Sequence, residues 1–295
     1  MRKVSSVFLV GLCVGAIGAV MVTVRHETAV DSPRPLASTG TVTTMSAPPT
    51  PTSPVARTTP SKSTPAPKPR ADPSALDDLV PGGEVSAVVF DRTTGKTLFA
   101  AHSDRTYTSA SLVKLFIALE VLDRDGPSEV VVRMLSMSDD DLASRLWSTY
   151  GGPQIVSRWA KTMGLHDTRP PADPGRWGDT EITASDMVLV YRYLTEQAAA
   201  SDRAMILDAL RHATERGSDG FRQYFGIPDA VQGHSWAVKQ GWSCCRPTRM
   251  LHTTGLVNDR YIVVVLTEHP RSVSDAIGSV RVTKVVTSLL SLIGG

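Results

Sequence analysis

The sequence is poor in net charge, in cysteine and in aromatic residues. Its 31 Lys and Arg nearly balance its 29 Asp and Glu, leaving a formal charge of +2. No basic stripe marks any stretch as a nucleic-acid footprint, so nucleic acid is not an expected partner. Only three cysteines occur, and two of them, Cys244 and Cys245, are neighbours. His234 and His252 are the only nearby histidines, a spacing that matches no zinc signature. The pair reads as a vicinal disulfide or as two small hydrophobes, and no metal or other cofactor is expected.

Aromatic residues are missing altogether between Asp31 and about Asp72, where Pro, Ser, Thr and Ala dominate. Such a stretch buries too little apolar surface to offset its ordering entropy, so a disordered linker is expected over 31–72. Its prolines favour extension, and about forty residues at roughly 3 Å each reach on the order of 100 Å. Ahead of it, Arg2 and Lys3 precede an uncharged run from Val4 to Val24, about the length that spans a bilayer. Residues 1–30 therefore read as a membrane anchor or a cleaved signal peptide, with lipidation at Cys13 as a third route. Each route sends the remainder to the outer side of the membrane.

Residues 73–295 carry the pattern of a folded domain. After a short helical piece near Ser74 to Leu79, "GEVSAVVFDRTTGKTLFAAH" reads as two strands around an Asp91–Gly95 turn. A helix follows from about Ser109. From about 127 to 215 apolar residues recur at three- and four-residue spacing, including the run "SEVVVRMLSMSDDDLASRLW", so a helical block is expected. "SWAVKQGW", "RMLHTTGLV" and "RYIVVVLTEH" then read as three strands. The last helix has Val282, Val285, Val286, Leu289 and Ile293 along one face. Two strands, a helical insertion, three strands and a closing helix describe an α+β domain built on a five-stranded antiparallel sheet.

Within "TSASLVKLFIALEVL", Ser111 and Lys114 are three residues apart, so on a helix they share one face. The spacing suits a nucleophile and its base, since a buried lysine loses its proton more readily. Alone, the spacing more often marks a helix start with an amphipathic lysine.

Two later stretches bear on that choice: Ser138-Asp139-Asp140, and Lys239-Gln240-Gly241 in "AVKQGW". Together with Ser111-x-x-Lys114 they resemble the three ordered motifs of the penicillin-recognising serine enzymes, most closely the class A serine β-lactamases. "VVFDRTTGKTLFAAHSDRTYTSASLVKLFIALEVL", "GDTEITASDM" and "YIVVVLTEHP" extend the resemblance from about Gly83 to the C-terminus. It implies Ser111 as the acylated nucleophile, Lys114 as its base and Ser138 as a proton relay. It also implies that Asp140, Lys239, Gln240, Trp242 and Arg249 contact substrate, with the N–H groups of Ser111 and Trp242 forming an oxyanion hole.

The departures from that pattern are specific. Asp140 stands where the family has an asparagine amide, and an ionised aspartate only accepts hydrogen bonds. Gln240 stands where the family has a hydroxyl. The stretch "GLHDTRPPADPGRWGDTE" lacks the glutamate that activates the deacylating water in the family, and Asp167 and Asp173 are its nearest carboxylates. The expectation is a monomeric, membrane-tethered serine acyl-enzyme hydrolase acting on β-lactams or D-alanyl-D-alanine-like peptidoglycan peptides. The alternative is a cell-wall binding or sensing module that keeps the cleft and turns over slowly or not at all.

Overall fold

The computed structural model describes residues 74–293. The expected anchor over 1–30 and linker over 31–72 lie outside them. A short helix α1 (Ser74–Asp77) leads into the hairpin β1 (Glu84–Asp91) and β2 (Lys96–Ala101). Asp91 closes the hairpin turn by accepting the N–H of Thr93 and a two-pronged contact from Arg260. The chain then passes through β3 (Tyr107–Thr108), a 3-10 turn (Ala110–Val113) and α2 (Lys114–Asp123). Helices α3 (Ser128–Ser136), α4 (Asp140–Tyr150) and α5 (Pro153–Met163) follow, then β4 (Glu181–Ile182), α6 (Ala184–Glu196), α7 (Ala200–Arg211) and the one-turn α8 (Ile227–Ala230). Strands β5 (Trp236–Cys244), β6 (Arg249–Val257) and β7 (Tyr261–His269) and the helix α9 (Asp275–Ile293) complete the domain.

The main sheet is antiparallel, in the order β2-β1-β7-β6-β5. Alternating side chains point to opposite faces of a strand, and here both faces are covered. Val88, Phe90, Ile262, Val264 and Leu266 pack toward α2 and the helical block. Val85, Val89, Val263 and Val265 pack toward α9, whose Val282, Val285, Val286 and Leu289 form the expected apolar stripe. Burial on both faces explains why β1 and β7 are nearly unbroken apolar runs.

Helix α2 lies between the sheet and the other helices, and residues 114 to 122 are all buried. Its sequence carries two ionisable groups inside that span, Lys114 and Glu120. At its start the polypeptide approaches β5 so closely that a Cβ on Gly241 would lie 3.0 Å from the Ser109 carbonyl oxygen.

Within the expected helical block, the run "SEVVVRMLSMSDDDLASRLW" forms two helices, α3 and α4. Ser138 takes a positive φ of 52°, and Asp139 caps α4 by accepting the N–H of Leu142. An aspartate one residue before a helix satisfies donors that a continuous helix would leave to its own carbonyls, so the cap competes with the apolar periodicity and wins. The helix expected from Ser109 likewise opens as a 3-10 turn, with Ala110 at φ 46°.

Candidate active site

The break before α4 has a consequence for chemistry. It turns Ser138 out of helical register and toward the first turn of α2, where Lys114 waits. Lys114 Nζ lies 2.9 Å from Ser111 Oγ, 2.7 Å from the Ser138 carbonyl oxygen and 3.2 Å from Ser138 Oγ. A fourth acceptor, Asp140 Oδ1, is at 2.5 Å. An ammonium has three protons, so these four acceptors compete for them. Lys239 reaches the same cluster from β5, with Nζ 2.9 Å from Ser138 Oγ and 2.9 Å from the Gln240 carbonyl oxygen. Ser138 Oγ thus bridges two lysines drawn from opposite sides of the cleft.

Electrostatics set these lysines apart. Both are enclosed, and burial pushes both below the usual lysine range. For Lys114 the charge and hydrogen bond of Asp140 pull the other way, as do Asp219 and Asp139. Lys239 makes no contact with a carboxylate; burial first and the positive charge of Lys114 second drive it well below its ordinary value, against a lesser upward pull from Asp140 and Asp219. The two non-glycine residues at positive φ that flank this network, Ala110 and Ser138, are costly backbone conformations of the kind that clusters at functional sites.

A pocket of about 400 Å³ opens directly onto Ser111, Asp140 and Trp242. Its far wall comes from the loop between α5 and β4. Asp186 anchors the start of that loop by accepting the N–H groups of His166 and Asp167 and the hydroxyl of Thr168. Trp147 Nε1 holds its middle through the Pro174 carbonyl at 2.8 Å, and the Ser109 N–H binds the Thr180 carbonyl at 2.7 Å. The loop brings Arg176, Trp177 and Asp179 to the pocket, with the Trp177 ring 5.0 Å from Lys114 Nζ. Asp179 is paired with Arg176 through both oxygens. Asp173 accepts the Gly175 N–H, and neither it nor Asp167 lines the pocket.

A second loop, between α7 and α8, supplies Asp219. Its Oδ2 accepts Trp242 Nε1 at 2.8 Å, and the Trp242 ring stacks on Phe221 with centroids 4.7 Å apart. Cys244 and Cys245 form a disulfide, and Cys244 lines the pocket rim.

Of the residues expected from sequence, Ser111, Lys114, Ser138, Asp140 and Lys239 meet in one network, and Trp242 borders it. Gln240 does not face the pocket. Its amide donates to the carbonyls of Gln223 and Phe225 at 2.8 and 2.7 Å, inside the protein. Arg249 pairs with Asp275 at the start of α9, outside the pocket lining. Sequence reasoning missed Trp177, Asp179 and Asp219, which sit in turns without periodicity; the "RWGD" and "GSDG" segments announce turns but not what those turns face. His252, opposite Gly241 in the β5–β6 ladder, is no metal ligand here. Its Nε2 meets the Thr108 carbonyl, its Nδ1 accepts the Thr267 N–H, and burial lowers it to about 4. Among the described residues no group of three His, Cys, Asp or Glu side chains is arranged to hold a metal ion. A larger hollow, about 500 Å³, runs along α9 beside Phe221 and Val280 and contains none of the expected residues.

Comparison with known proteins bears on the family and the fold. Residues 127–287 match the Beta-lactamase enzyme family, a stretch that includes Ser138 and Lys239 and begins after Ser111 and Lys114. The protein named "Putative lipoprotein LppW" in Mycobacterium tuberculosis and Mycobacterium bovis is 35% identical over 223 residues, covering 70% of each chain. A β-lactamase from Chitinophaga pinensis superposes with a TM-score of 0.65 at 13% identity, over 75% of this chain and 98% of its own. The class A β-lactamase of Mycobacterium abscessus gives 0.63 at 19% identity, over 76% and 98%. These two likenesses speak to the fold, and the family match and LppW speak to descent: the chain belongs to the β-lactamase enzyme family.

Proposed function

We propose that the protein is a serine acyl-enzyme hydrolase in which Ser111 attacks a β-lactam or a D-alanyl-D-alanine-like peptide amide. The observation that carries this reading is the 2.9 Å contact between Ser111 Oγ and Lys114 Nζ at the floor of an open pocket. In the acylation step Ser111 Oγ bonds to the carbonyl carbon as its proton passes to Lys114 in the neutral form. Ser138, in contact with both lysines, delivers a proton to the leaving nitrogen as the C–N bond breaks. The N–H groups of Ser111 and Trp242 are assigned to the developing oxyanion. Lys239 holds Ser138 in place. Release of the acyl group is slow in this scheme, because Asp167 and Asp173 do not line the pocket and Asp179, the carboxylate of that loop which does, is held by Arg176.

The chain is assigned to the outer side of the membrane, tethered by its N-terminal apolar run. The lipoprotein name of LppW brings lipidation at Cys13 forward among the ways of anchoring it. Peptidoglycan peptides are then the natural ligands within reach, and a monomer suffices to form the site.

A second reading, a binding or sensing module without turnover, is favoured by one observation: the 2.5 Å pair between Lys114 and Asp140, a contact that favours the protonated form of the base against the effect of burial. Intact-mass spectrometry of the full chain incubated with a chromogenic penicillin separates the two. An adduct that maps to Ser111 and clears over time supports the hydrolase, and one that persists supports the sensor. If neither a penicillin nor the amide of a D-alanyl-D-alanine peptide forms an adduct, or if Ser111→Ala leaves it unchanged, acylation at Ser111 is wrong.

A further inference from the structure

The pocket has lost the usual means of receiving an anion. Gln240, on the strand beside the nucleophile, gives both amide hydrogens to backbone carbonyls. Arg249, the cation expected on the neighbouring strand, is paired with Asp275. In their place the Trp242 end of the pocket presents a carboxylate, that of Asp219. It is held there by two bonds: Oδ1 accepts the Phe221 N–H at 2.9 Å, and Oδ2 accepts Trp242 Nε1 at 2.8 Å. The stacking of Trp242 on Phe221 fixes both of its donors.

The charges that line the pocket can be paired off, with Arg246 lying outside it in the neighbouring hollow beyond Cys244. Arg176 belongs to Asp179 and Lys114 to Asp140. That leaves Asp219, exposed at the wall, and Lys239, fully enclosed with its Nζ on Ser138 and the Gln240 carbonyl. An exposed fixed anion meets an incoming ligand before an enclosed amine does, and burial weakens the hold of Lys239 on its proton. At this end of the cleft the balance is therefore zero or negative. A ligand carboxylate placed here gives up hydration for repulsion, whereas an ammonium gains a partner.

We propose that Asp219 sets the specificity of the cleft, so that it accepts a ligand with an ammonium or an uncharged amide at the Trp242 end in preference to one with a carboxylate. This narrows the acyl-transfer reading to peptides whose C-terminal side is amidated or amine-bearing, and rests on that reading for its covalent step alone. A penicillin, which carries a carboxylate beside its ring nitrogen, is by the same argument a poor fit.

The test separates binding from chemistry. Three ligands identical except at one end are titrated calorimetrically into the full-length Ser111→Ala protein: N-acetyl-D-alanyl-D-alanine, its primary amide and its 2-aminoethyl amide. The ammonium ligand should bind roughly tenfold more tightly than the carboxylate, with the amide between them, and added salt should compress the range. Adding Asp219→Asn should bring the two within about twofold, and Asp219→Lys should reverse their order. Equal or tighter binding of the carboxylate, a ratio indifferent to Asp219 substitution, or no binding of any ligand overturns the proposal. The same ligands given to the protein with Ser111 intact report on chemistry separately: a charge preference in binding without a Ser111 adduct removes the acyl-transfer reading and leaves the specificity assignment standing.

Discussion

Helix α2 buries two charges, and they are treated differently. Glu120, two turns beyond Lys114, is 1% exposed and surrounded by matched donors: Arg124 on one oxygen, Arg158 and Trp159 Nε1 on the other. That network is closed, with each oxygen served and its arginines reaching out to solvent. Lys114 is buried just as deeply, but it has four acceptors for at most three protons, and one of them is the hydroxyl of a serine facing a pocket. A buried charge with complete partners fastens a fold. One with surplus partners, opening on a cavity, leaves a proton that can move.

The largest effect that would break or sharpen this contrast is kinetic. Lys114→Met should lower the rate of Ser111 acylation by about a thousandfold, read from adduct growth with a reporter penicillin. The same change should leave the thermal midpoint level or raise it, since Met replaces an enclosed amine and Asp140 stays in solvent. A destabilised but fully reactive Lys114→Met protein would erase the distinction. Next comes Glu120→Ala, which strands the buried Trp159 N–H and should reduce stability by about 2–3 kcal/mol in denaturant unfolding. The folded fraction of that variant should acylate at the normal rate.

The smallest expected effect falls on the pair that joins the two behaviours. Burial lowers Lys114 while Asp140 holds it up. In Asp140→Asn the upward pull is gone, the amine loses its proton at lower pH, and more of it is neutral at any given pH below its own pKa. The rising limb of the acylation pH profile should therefore move to lower pH, with on the order of a tenfold gain where that limb is steep. A limb that stays in place would mean that Asp140 does not govern the base.

Much of this architecture is legible in the sequence. Turn residues from Asp91 to Gly95 between two apolar runs placed the β1–β2 hairpin, and helical spacing placed the stripe on α9, because the helical repeat records which face is buried. Ser111, Lys114, Ser138 and Lys239 were legible as a set because three short motifs recur in a known order. What escaped is local and polar. The break at Ser138 hides in a run whose apolar spacing continues across it, and only the capping role of Asp139 gives it away. Gln240 and Arg249 were placed on the right strands, yet their partners, carbonyls from another loop and a carboxylate on α9, follow from tertiary packing alone. Trp177 and Asp219 lie in turns, where side-chain direction is set by the loop's anchors rather than by any period.

Gly241 contributes no atoms to the chemistry, and that is its contribution. A side chain there would press on the Ser109 carbonyl at 3.0 Å, on Leu112 at 3.1 Å and on His252 at 3.2 Å. The turn carrying Ser111 and the strand carrying Lys239 would have to give by a few tenths of an ångström, which would stretch the contacts that Ser138 makes to the two lysines. The gauge of this machine is thus set by an empty position: one hydrogen in place of a methyl group keeps the Ser111 turn and strand β5 within the reach of a single proton.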